Sequence, residues 1–83
     1  MDEPPKTQVI ERVAQVLTAI TRQGATGARL KDIALDTGIA RPTVHRIVAA
    51  LVAERMLVED ARSLGLALGP RLIQLASRSW GSS

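Results

Sequence analysis

The 83-residue chain contains no cysteine, no phenylalanine and no tyrosine, and Trp80 is its one aromatic residue. Without thiols, neither a disulfide framework nor a thiolate metal site can hold the fold together. His45 is the only histidine; no carboxylate stands beside it at ligand spacing, so no metal and no cofactor is expected. A nucleophile beside a base, paired carboxylates on one face and a phosphate-binding loop are all missing, so the chain does not read as an enzyme. No apolar run approaches the roughly 20 residues that span a bilayer, and the opening MDEPPKTQ has no hydrophobic segment that could act as a secretory signal. These absences lead to the expectation of a soluble cytoplasmic protein with no membrane partner.

What remains is a core of Leu, Ile, Val and Ala, a mixture that favours helices with one short hairpin. A chain of this size buries only about 60 to 65% of its unfolded surface, which is enough for one domain and not for two. The formal charge of +3 and isoelectric point near 10.6 permit nucleic-acid binding without requiring it. Where the charges fall is more telling: no acid occurs between Thr37 and Ala53, a stretch that contains Arg41, His45 and Arg46.

Residues 1–8, with Pro4 and Pro5, read as a flexible N-terminal arm. Val9, Ile10, Val13, Val16, Leu17 and Ile20 recur at helical spacing and predict a first helix ending near Gly24. After the loop Gly24–Gly27, residues 28–30 form a brief extended piece, and a second helix opens at Lys31 or Asp32 and closes at a left-handed Gly38. Pro42 suits the first turn of a third helix and pushes Arg41 towards an extended conformation. Ile33, Ala34 and Leu35 in the second helix, and Val44, Ile47, Val48 and Leu51 in the third, give each a buried face.

Two helices joined in this way, over about residues 30–51, have the grammar of a helix-turn-helix DNA reader. Leu57-Val58-Glu59 and residues 64–68 then alternate as two short strands around Asp60-Ala61-Arg62-Ser63, forming a wing over about 57–68. Pro70 restarts the chain as a linker helix to about Arg78, with Leu72, Ile73, Leu75 and Ala76 available for burial, followed by a tail to residue 83. The predicted fold class is therefore mainly α, a winged helix-turn-helix with a three-helix core at 9–69 and a C-terminal linker helix at 70–83.

The segment Ile10 to Leu72 resembles the N-terminal winged helix-turn-helix of the IclR family of bacterial transcriptional regulators. The likeness rests on Glu11-Arg12, Asp32-Ile33-Ala34 with Thr37-Gly38-Ile39, Thr43-Val44-His45-Arg46, and Leu68-Gly69-Pro70-Arg71-Leu72, in that order. It implies a homodimer on double-stranded DNA with the third helix in the major groove. It also implies a small-molecule effector acting only through a C-terminal domain, which these residues do not include, so that the chain reads as a fragment or a stand-alone relative. Two departures stand out. Family wings commonly carry an aromatic and a basic residue where this chain has Leu66 and Ala67, leaving Arg62 as the wing's cation. Ala40 and Pro42 also differ from the usual entrance to the third helix.

Arg46 is the first choice for a base contact, because a guanidinium bonds guanine O6 and N7 together. Its bland alternative is a solvated side chain or a pair with Glu11 or Asp36. Arg41 can reach a base or a phosphate from the helix entrance, beside Pro42, and Thr43 offers a hydroxyl to phosphate and a methyl to thymine. His45 is balanced between a DNA contact and a plain surface imidazole. Arg29 and Lys31, near the start of the second helix, could hold a phosphate with its amides or be ordinary exposed cations. For Arg71 and Arg78 a solvated linker helix is the simpler account. The stripes Val9–Ile20 and Leu72–Ala76 are core, dimer surface or both. The competing reading of the whole chain is a winged-helix module that binds a protein and no specific DNA.

Overall fold

The computed structural model describes residues 6–23, 27–60 and 65–80. They form α1 (Lys6–Arg22), α2 (Leu30–Thr37), α3 (Arg41–Ala53), β1 (Leu57–Glu59), β2 (Leu66–Leu68) and α4 (Pro70–Trp80). This is the mainly helical winged helix expected from the sequence. The first helix begins earlier than its first apolar residue: Lys6, Thr7 and Gln8, assigned above to the arm, are its opening turn. None of the three breaks a helix, so the helical stretch runs back as far as the residue after Pro5.

The core forms where three helical stripes and the wing converge. Val16, Ala19 and Ile20 of α1 meet Ile33 of α2, Val44, Val48 and Leu51 of α3, and Ala28, Leu57 and Leu66, all buried. No polar or charged side chain among the described residues is buried with them. Ile33, Leu57, Val16 and Val44 are the largest side chains fully removed from water, and each such residue contributes roughly 1.5–3 kcal/mol by leaving it. Val9 and Ile10, at 53% and 68% exposed, lie beyond this core, so the apolar stripe of α1 outruns its partners.

Leu35 corrects the expected face of α2. It is 82% exposed while Ile33 is fully buried. Successive helical residues turn by about 100°, so positions 33 and 35 point to nearly opposite sides and cannot share one buried face.

The turn between α2 and α3 is fixed locally. Gly38 adopts φ 76° and ψ 5°, and its N–H bonds the Ala34 carbonyl. The Thr37 hydroxyl donates to the Ile33 carbonyl at 2.8 Å and accepts the Ile39 N–H at 3.2 Å. The Thr43 and Val44 N–H groups both bond the Ala40 carbonyl at 3.0 Å. This last pair explains a second correction: Arg41 is helical, and the extended step before the helix is Ala40, at φ −59° and ψ 139°. Bringing the Ala40 carbonyl over the first turn requires Arg41 to be helical already, which overrides its preference before Pro42.

β1 and β2 pair antiparallel in the register Leu57↔Leu68, Val58↔Ala67 and Glu59↔Leu66. Ala28 bridges the far side of Leu66, tying the start of α2 to the wing. The four residues at the wing's tip, Arg62 among them, lie outside the described residues. In α4 the expected burial is only partly met: Leu72 is half-buried, while Ile73 and Leu75 are 59% and 49% exposed and Ala76 is exposed.

Candidate nucleic-acid interface

The orientation of α3 follows from its apolar residues. Val44, Val48 and Leu51 face the core, so by helical rotation Pro42 and Arg46 stand on the outermost line, with Ala49 and Ala53 further along it. The structure exposes Arg41, Pro42, His45 and Arg46 and leaves Thr43 half-buried. Among the described residues Arg46 makes no hydrogen bond or ion pair. Of its two candidate partners within the chain, Asp36 accepts from the Arg22 guanidinium at 3.0 and 3.1 Å instead.

The N-terminal turn of α3 has no acidic residue and no side-chain cap. Its helix dipole is therefore not offset by a carboxylate, and Arg41 adds a full charge at that end. Such a helix end attracts an anion. The start of α2 is less one-sided: Arg29 is extended at φ −102° and ψ 158°, Lys31 is exposed, and Asp32 in the same first turn offsets part of the positive field.

His45 lies on the flank of α3 that faces the wing. With Leu30, Val48, Ala49, Val52, Glu59 and Leu66 it lines a shallow groove between α3 and β1. Glu59 was not singled out from the sequence. The signal was available, because a strand that begins four residues after α3 and pairs back beside it must bring its third residue near that helix. A carboxylate here repels phosphate.

Arg41, Pro42, Thr43, His45 and Arg46 are thus gathered on the first turns of α3, with Thr43 half-buried and the other four exposed. Arg29 and Lys31 stand apart at the start of α2, and Arg62 lies outside the described residues. Arg71 is exposed on α4, as a solvated helix would have it, and its guanidinium also donates to the exposed Glu54 carboxylate at 2.6 Å. Among the described residues no group of three or more metal-ligating side chains occurs, and no helix is long and apolar enough to cross a membrane.

The family model for the IclR helix-turn-helix domain matches residues 9–61. Among solved structures, a transcriptional regulator from Alicyclobacillus acidocaldarius superposes with a TM-score of 0.78 at 28% identity, over 90% of this chain and 30% of that one. An IclR-family protein from Rhodococcus sp. superposes with a TM-score of 0.71 at 26% identity, over 96% of this chain and 34% of that one. The chain therefore spans about a third of the length of these regulators. No curated protein matches it.

Proposed function

The chain belongs to the IclR helix-turn-helix family, and from that premise we propose that it is a sequence-specific reader of double-stranded DNA that acts in transcriptional regulation. The observation that carries the reading is the exposed, acid-free entrance of α3, with Arg41, Thr43, His45 and Arg46 on its first turns. In this account α3 enters the major groove and Arg46 bonds a guanine edge. Arg41 bonds a base or the adjoining phosphate, Thr43 bonds phosphate or packs on a thymine methyl, and His45 contacts the strand nearest the wing. Pro42 presents a ring with no donor at the tip of the helix. Arg29, Lys31 and Arg62 anchor phosphates on either side.

The site is a pseudo-palindrome bound by two copies, whose third helices must stand about 34 Å apart, one turn of duplex. The exposed apolar residues of α1 and α4 supply a surface for that pairing. Regulation by a small molecule belongs to a separate effector domain outside these residues, and the protein acts in the cytoplasm. The exposed Ile73 and Leu75 also favour a second reading, in which the domain docks on a protein and binds no specific DNA.

Fluorescence anisotropy on a mixed-sequence duplex across a salt series separates the two. A DNA reader gives an affinity that falls linearly on logarithmic axes, with a slope near −0.9 for each phosphate neutralised. It weakens on Arg41→Ala or Arg46→Ala. An interaction module loses all DNA affinity by physiological salt and keeps its partner after both substitutions.

A further inference from the structure

The start of α4 is held by the corner that leaves α3. Arg55 is the one non-glycine residue with a positive φ among the described residues, at 63°. This kink turns the carbonyls of Arg55 and Met56 towards the end of β2. The Gly69 N–H bonds the Met56 carbonyl at 2.7 Å, and the Arg71 N–H bonds the Arg55 carbonyl at 3.1 Å. The Arg71 guanidinium bonds the Glu54 carboxylate at 2.6 Å and reaches the Glu54 carbonyl at 3.4 Å.

The approach is so close that a Cβ on Gly69 would stand 2.4 Å from the Arg55 carbonyl oxygen and 2.9 Å from the Met56 carbonyl carbon. Both are backbone atoms, so the neighbour cannot yield by rotating a side chain. Elsewhere α4 is weakly held. The principal packings join α1 to α2, α3 and β2, and α3 to α2 and β1, and none of them includes α4. Among its described side chains Leu72 is half-buried, and Ile73 and Leu75 are largely exposed.

We propose that this corner, Glu54–Met56 against Gly69–Arg71, is the joint that fixes the angle of α4 to the recognition helix. When two copies pair through α4, the same joint sets the spacing between their third helices. Glu54, Gly69 and Arg71 are positioning residues: they touch no DNA, and they govern which half-site separation is read. The spacing part of the proposal rests on the dimeric reading given above; the joint itself does not.

The test exploits the absence of cysteine. Ala50→Cys on α3 and Ser77→Cys on α4, both exposed positions, carry spin labels whose separation is measured by pulsed electron resonance, with helix content checked by circular dichroism. Gly69→Ala is expected to move the mean separation, because the added methyl must push the corner and α4 apart. Arg71→Ala, the milder variant, is expected to broaden the distribution, and Arg71→Lys to narrow it again by restoring a cation to Glu54. The same proteins, unlabelled, are then challenged with duplexes whose half-sites differ only in separation. A shift in preferred separation for Gly69→Ala, with affinity for a single half-site unchanged, supports the proposal. Folded variants whose label distances overlay the parent would overturn the joint. Distances that move without any change in preferred separation would overturn its role in spacing. If the parent binds no duplex, the DNA reading fails, and the distances alone still decide whether the joint exists.

Discussion

Ile33 and Leu35 sit two residues apart on α2, are isomers of one another in side chain, and differ almost completely in exposure, at 0% and 82%. Replacing each by alanine removes the same number of carbons. At Ile33 the lost atoms leave a cavity in the core that α2 shares with α1 and α3, and the cost of such a truncation is about 2–5 kcal/mol. At Leu35 the lost atoms were already in water, and the cost is within about 0.5 kcal/mol. A chain of this size is stable by roughly 4–12 kcal/mol, at about 0.05–0.15 kcal/mol per residue, so the first substitution removes a large share of that total. With roughly 4–8 °C of melting temperature per kcal/mol in a domain this small, Ile33→Ala lowers the midpoint by about 8–40 °C. Leu35→Ala moves it by no more than about 4 °C on the same scale. Thermal unfolding followed by circular dichroism reads both. Equal losses at the two positions, or a larger loss at Leu35, would refute the assignment of α2's buried face and with it the seating of α3.

The cap at Gly38 isolates a purely conformational cost, because nothing lies within 4 Å of the site where a Cβ would stand. Gly38→Ala is expected to lose about 1–2 kcal/mol by chemical denaturation, and Gly38→Asn clearly less. Breaking the exposed Arg22–Asp36 pair with Asp36→Asn costs no more than about 1 kcal/mol, and a larger drop in the melting midpoint would mean that the pair carries structural weight. Arg46→Ala leaves thermal stability unchanged within about 0.5 kcal/mol, while DNA discrimination falls by about 1–3 kcal/mol; a matching loss of stability would reassign Arg46 to the fold. Glu59→Gln is expected to tighten duplex binding about two- to fivefold at low salt by removing a charge of the same sign as phosphate. An unchanged affinity would place the groove beside His45 away from the DNA.

Much of the architecture was legible because the relevant signals are local. Gly38, Pro42 and the aliphatic spacing of α1 and α3 each act within a turn or two, and they marked the helix boundaries to within a few residues. What escaped depends on partners distant in sequence. The stretch Ile33–Leu35 is uniformly apolar, and only the position of α1 and α3 decides which of the three is inside. The side chains of α4 have helical apolar spacing, yet that spacing cannot say whether a partner surface exists within the same chain. Arg41 was expected to be extended because the rule for a residue before proline is local, whereas two hydrogen bonds to Ala40 prevail there. The exposure of the candidate side chains on α3 was legible, since it follows once the buried face is known. Glu59 beside His45 and the grip of Arg55 on the start of α4 are products of the wing folding back, and no single stretch of sequence contains either.

Selection from a randomised duplex pool at about 150 mM salt, where non-specific binding is already weak, tests the central claim most directly. It is run with the parent chain and with Arg46→Ala in parallel. The account predicts enrichment of an inverted repeat with half-site centres about one helical turn apart, and loss of sequence preference at one position of each half-site in the variant. A folded parent that enriches no sequence, alone or fused to a dimerising coiled coil, would contradict it.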